Sequence, residues 1–179
     1  MRIRPLVLAL AAAAIPCALP AQHAHDHAAH HATHADSAGS HAAAADTGFA
    51  ALQARGRAAM GVDQYTSTHR FDALPDGGRI ELQRDEDHAE GIATIRAHLA
   101  AIAQSFARGD FGTPAAVHAR EVPGTATMAA RRDAIRYTYR DLPRGGEVRI
   151  TTADPEAIAA IHAFMAFQRG DHRAGGEHP

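Results

Sequence analysis

Six histidines within twelve residues, His23, His25, His27, His30, His31 and His34, form the densest set of chemically active side chains in the sequence. Neutral imidazole is a ligand for zinc, copper and nickel. The alternation of His23, His25 and His27 lets an extended backbone gather several rings round one ion, and Asp26 and Asp36 add oxygen donors. From Gln22 to Ala45 the chain is, apart from Gln22 and Thr33, histidine, alanine, aspartate, serine and glycine, with no side chain large enough to build a core. The segment is therefore expected to be disordered without metal and to buffer or scavenge ions rather than fix a geometry. The competing reading is a flexible linker whose histidines are compositional.

A second group of histidines lies further on: His69, His88, His98, His118, His162 and His172. His98 falls beside the apolar stripe of its helix and His162 at the edge of its own. A set drawn from His69, His98, His118 and His162, with Met128 as a soft thioether donor, suits copper, or zinc without the methionine. No pair shows His-x-x-x-His spacing, so each also reads as a structural histidine and Met128 as core.

Other chemistries find less support. All 18 basic residues are arginine, which removes lysine Schiff bases and the P-loop lysine. Ser67 and Ser105 lie outside any Gly-x-Ser-x-Gly context, and the paired glycines lack the fingerprint of a dinucleotide site. The acidic run Asp85 to Asp87 reads as a solvated helix entry. Arg131, Arg132, Arg136 and Arg140 read as a solvated face, with an anion site as the alternative.

These residues need elements to position them. Asp46 is a suitable N-cap for a helix from Thr47 to Met60, ended by Gly61. Alternation from Tyr65 to Leu74, the turn Pro75-Asp76-Gly77-Gly78 and the segment Arg79 to Gln83 predict two strands of a hairpin. A helix over Asp87–Arg108 follows, with Ile92, Ile95, Leu99, Ile102 and Phe106 at helical spacing and Gly109 at its end. The grammar then repeats: Leu74-Pro75-Asp76-Gly77-Gly78-Arg79-Ile80 is echoed by Leu142-Pro143-Arg144-Gly145-Gly146-Glu147-Val148. The second copy predicts strands over Ala134–Asp141 and Glu147–Thr152, then a helix capped by Asp154 with Pro155 in its first turn. Between the copies, Asp110 to Arg132 predicts an irregular connector with a short helix from Thr125. Two β-β-α repeats imply an α+β fold: a four-stranded antiparallel sheet with helices on one face, plus the N-terminal helix.

Arg2 and Arg4, the apolar run Leu6 to Ile15 and small residues up to Ala21 have the layout of a secretory signal cleaved after Ala21. Ala14-Ile15-Pro16 departs from a lipoprotein signal, so Cys17 leaves with the signal and the exported chain has no cysteine. The expected organisation is a signal peptide over 1–21, the histidine-rich segment over 22–45 and one α+β domain over 46–175, in a periplasmic or secreted, soluble protein. No stretch is long and apolar enough for stable membrane insertion. The net charge of −2 becomes about −4 without Arg2 and Arg4, so no basic face is expected for nucleic acid. The partner so implied is a metal ion; a protein partner is not identified.

Met60-Gly61-Val62-Asp63-Gln64, Thr66 to Phe71, Leu74 to Ile80, Ile95-Arg96-Ala97-His98-Leu99, Gly109-Asp110-Phe111, Val117-His118, Pro123-Gly124 with Met128, and Ile161-His162-Ala163-Phe164 through Phe167-Gln168 together resemble a family of small exported bacterial proteins of unknown function. The resemblance spans nearly the whole folded part and implies that His69, His98, His118 and His162 occupy family-typical positions. Arg70 departs from the adjacent pair of histidines common there. Some members carry the label aspartate carbamoyltransferase. That enzyme needs a Ser-Thr-Arg-Thr phosphate loop at a helix start and two α/β domains, whereas Ser67-Thr68-His69-Arg70 falls in a predicted strand. The motifs do not support the label. Three function classes remain: a metal-binding protein, a module for a non-metal ligand or protein, and, last, an enzyme.

Overall fold

A computed structural model describes residues 35–61 and 63–174, with side-chain surroundings from Thr47 onward. The expected signal peptide and the histidines from His23 to His34 lie outside the described residues. The first helix, α1, spans Ala35–Met60. It begins well before the expected start at Thr47, and Asp46 lies inside it rather than capping it. The run Ala42 to Ala45 propagates helix more strongly than the single aspartate ends it. Residues 35–45, expected to be disordered, are thus helical.

A 3-10 turn over Gln64–Thr66, capped by Asp63, leads into β1 (Ser67–Leu74) and β2 (Gly77–Arg84). Then come α2 (Ala89–Ala107), α3 (Gly112–His118) and α4 (Thr125–Ala130). The second unit is β3 (Arg136–Leu142), β4 (Gly145–Thr151) and α5 (Pro155–Asp171). α3 lies in the segment expected to be an irregular connector; its Pro114 falls in the first turn, where proline is compatible with helix.

Each hairpin turns on two residues, Pro75-Asp76 and Pro143-Arg144, with Leu74 opposite Gly77 and Leu142 opposite Gly145. The glycine pairs therefore open β2 and β4. The sheet order is β1-β2-β4-β3, antiparallel throughout. Between the central strands, Ile80 faces Val148, Gly77 faces Thr151 and Gln83 faces Gly145. Ile80 and Val148 are equivalent residues of the two copies, so an approximate two-fold axis passes through that pair.

The helices cross over between units. α2 packs chiefly on β4 and β3, whereas α5 packs on β1 and β2. Neither unit covers its own apolar face, which makes one core of the two. That core joins Ile95, Leu99, Ile102 and Phe106 of α2 and Ile161, Phe164 and Met165 of α5 to Phe71, Ile80, Leu82, Val148 and Ile150 of the sheet. On the other sheet face, Arg79 pairs with Asp72 at 2.5 Å and Arg140 with Glu147 at 3.0 Å. No helix among the described residues is long and apolar enough to cross a membrane.

Asp154 caps α5 as predicted, its Oδ1 accepting from the amides of Glu156 at 2.9 Å and Ala157 at 3.3 Å. Asp154→Ala leaves both donors without that partner and is expected to cost about 1 kcal/mol. Urea denaturation checks this, and unchanged stability would show that the cap contributes nothing.

Candidate functional site

β1 alternates, so Ser67, His69 and Phe71 turn inward beneath the helices. His69 thereby enters a cavity of ≈ 70 Å³ between the sheet and the helix layer. Phe71, Ile80, Leu82, Leu99, Ile102, Phe106 and Phe164 supply an apolar wall. Against it stand four imidazoles, His69, His98, His118 and His172, together with Met60 and Gln168. Such a volume accommodates a few waters or one ion with part of its shell.

His69 is the most unusual of these groups. Both of its ring nitrogens are buried and neither has a hydrogen-bond partner among the described residues. A neutral imidazole offers one N–H and one lone pair, and a buried polar atom without a partner costs about 1–3 kcal/mol. Burial, then the neighbouring His172 and His98, push the His69 pKa down to about 3. The ring is therefore neutral at physiological pH, the protonation state that a metal requires.

His172 stacks on His69 with ring centres 5.4 Å apart and planes inclined by 11°. Gln64 sets its tautomer. The Gln64 Nε2 donates to the His172 carbonyl at 2.8 Å, which turns the Gln64 Oε1 toward His172 Nδ1 at 3.0 Å. Nδ1 must then carry the proton, leaving the lone pair on Nε2. Burial and the nearby His118 bring its pKa down to about 4, against the opposing pull of Asp171. Burial also lowers that of His98.

His118 closes the cavity from α3. Its Nδ1 donates to Asp171 Oδ2 at 2.5 Å, and its Nε2 meets Gln168 Oε1 at 2.9 Å. A carboxylate on one ring nitrogen is the arrangement that orients metal-bound imidazoles elsewhere. Its ring lies edge-on to His172, with centres 5.0 Å apart.

The cavity thus brings together His69, His98 and His118 of the expected set and leaves out two members. His162 turns away and donates from Nε2 to the Leu74 carbonyl at 2.8 Å, fastening α5 to the end of β1. Met128 lies wholly in the core, 0 % exposed. Their places are taken by His172 and Met60. The signal for His172 was present in the inward stripe of α5: Ala157, Ile161, Phe164, Gln168 and His172 follow one another at helical spacing. His162 stands one position off that stripe. Met60 was hidden because the close of α1 over the cavity is a tertiary matter.

Other singled-out groups have local roles. His88 caps α2, its Nδ1 accepting from Gly91 N at 3.0 Å. Arg131 pairs with Asp154 and Glu156, and Asp85 to Asp87 are exposed. Among the described residues, no three His, Cys, Asp or Glu side chains stand ready as a metal coordination shell.

His69→Leu removes two buried polar atoms without partners and keeps an apolar body in their place. Loss of ring stacking offsets part of the gain. In metal-free buffer the substitution is expected to stabilise the fold by about 1–2 kcal/mol. A destabilised variant in urea melts would show that the ring is held by partners.

No protein-family model, curated protein or solved structure matches this chain.

Proposed function

We propose that this is an exported protein that holds a transition metal, copper or zinc, in the histidine cavity of its folded domain. The observation that supports the reading is His69: a neutral imidazole with both nitrogens buried and without a partner among the described residues, in the lining of a cavity shared with His98, His118, His172 and Met60. A bound ion would give one of those nitrogens a partner. His69 and the Nε2 lone pair of His172 are the primary donors, with His98 and Met60 completing the shell and Asp171 orienting His118. The near-parallel stack of His69 and His172 means that one ring must turn before both reach the same ion. In this account the histidine-rich segment up to His34 captures ions and the cavity retains one.

A second reading draws on the same stack. Parallel rings beneath an apolar wall also suit a small neutral ligand with one hydrogen-bonding group, and the histidines would then bind it without metal.

Thermal melts of the full chain with and without one equivalent of copper or zinc separate the two. A ligand of the folded state raises the melting temperature by mass action. The rise is expected in the wild type and is expected to disappear in His69→Leu and His172→Gln. A rise that persists in both variants would place the bound ion outside the cavity and leave the second reading in front.

A further inference from the structure

We propose that the ion selected by this cavity is copper(I) rather than a divalent metal, an inference that rests on reading the cavity as a metal site. Charge is the first reason. Among the described residues that line the cavity none is a carboxylate. Asp171 lies behind His118, its Oδ2 on the far ring nitrogen at 2.5 Å. An ion entering here meets the neutral imidazoles of His69, His98 and His172, a thioether, an amide, a hydroxyl and hydrocarbon. The cost of taking an ion out of water grows with the square of its charge, so a dication costs about four times what a monocation does, with no anionic ligand to offset it. Zinc sites built on neutral imidazoles keep a water or hydroxide in an open position; the apolar wall of this cavity offers little support for either.

Donor type is the second reason. Met60 is the one thioether among the described residues of the lining, and soft thioether ligands favour copper(I). Coordination number is the third. Zinc asks for four ligands in tetrahedral array, whereas the described residues do not assemble even three His, Cys, Asp or Glu donors in readiness. Copper(I), a soft monocation with less charge to neutralise, accepts two or three. Turning one ring of the His69–His172 stack and drawing in Met60 would supply that number.

The test uses the full chain under anaerobic conditions. Copper(I) is supplied as its bicinchoninate complex, zinc(II) is competed with a chromophoric chelator, and wild type is compared with Met60→Leu and His69→Leu. The histidine-rich segment is common to all three, so the differences report the cavity. Thermal melts confirm that each variant is folded, and leucine preserves the volume of Met60. Met60→Leu is expected to weaken copper(I) binding roughly tenfold or more, a loss at least equal to that of an outer-shell partner, and to leave zinc binding unchanged. His69→Leu is expected to weaken copper(I) binding by roughly a hundredfold or more. Copper(I) binding that is indifferent to Met60→Leu, or zinc held more tightly than copper(I) by a His69-dependent site, would overturn the preference and leave the metal site standing. If His69→Leu alters the affinity for neither metal, the metal site itself falls.

Discussion

Lowering the pH from 6.5 to 5 in metal-free buffer is expected to remove roughly 3 kcal/mol of stability, a loss that begins before most carboxylates titrate. His69 and His172 have folded-state pKa values near 3 and 4, below the 6.5 of the exposed side chain. At the acid end of this window the unfolded chain therefore holds nearly two protons that the folded chain refuses. Stability rises with pH wherever the unfolded state binds more protons, at about 1.4 kcal/mol per pH unit for each group. The contribution of a depressed histidine is present in full above pH 6.5 and declines on acidification toward its folded pKa. His98, also lowered by burial, acts in the same direction. Urea denaturation at pH 7, 6 and 5 measures the slope. Stability that holds level over this range would show that the imidazoles are solvated or paired, and the case for neutral donors in the cavity would lapse.

Gly124→Ala is expected to cost about 2–4 kcal/mol, from left-handed backbone strain and overpacking together. Gly124 precedes α4 with φ of 85°, a conformation that disfavours any Cβ. A Cβ there would also run into the carbonyl oxygen of Ala160, the backbone of α5. Relief requires α4 to lift from α5, which pulls Met128 out of the core. Gly48→Ala provides the comparison. It lies within α1 with nothing near the added methyl, so there the change should be neutral or stabilising by about 0.5–1 kcal/mol. Equal thermal melts for the two variants would contradict the close approach of α4 to α5.

The architecture was legible because local signals agreed with one another. The echoed Leu-Pro-x-Gly-Gly segments marked both hairpins, and the stripe from Ile95 to Phe106 marked the covering helix. Hairpin order was not legible, because it depends on Ile80 meeting Val148 across a strand pair far apart in sequence. The start of α1 was misplaced where an alanine run outweighed a capping aspartate. The site followed the same division. His69, His98 and His118 were found from their types and positions, yet His162 was preferred to His172 because the apolar stripe of α5 was not followed into its polar end. A stripe that continues through Gln168 and His172 is a core stripe with polar members, and such members are the ones a cavity can use. Met60 and Asp171 could be assigned only after α1 and α3 had closed over the helix layer.

The helix crossover gives the cavity its character. Since α2 covers the β3–β4 hairpin and α5 the β1–β2 hairpin, the space beside β1 is finished by segments distant in sequence: the end of α1, α3 and the residue after α5. The end of α1 brings Met60, α3 brings Thr113 and His118, and the residue after α5 is His172, all set against a largely hydrocarbon wall. Three of the four histidines are thereby held toward neutrality, and His69 is left without a hydrogen-bond partner among the described residues.

Imidazole 15N resonances of the full chain, followed in long-range 1H–15N spectra as one equivalent of copper(I) or zinc is added, decide whether the cavity holds the ion. One nitrogen of His69 and Nε2 of His172 are expected to move from lone-pair to metal-bound shifts by the first equivalent, with Nδ1 of His172 unchanged. Shifts confined to the histidines from His23 to His34, with His69 and His172 unmoved, would contradict it.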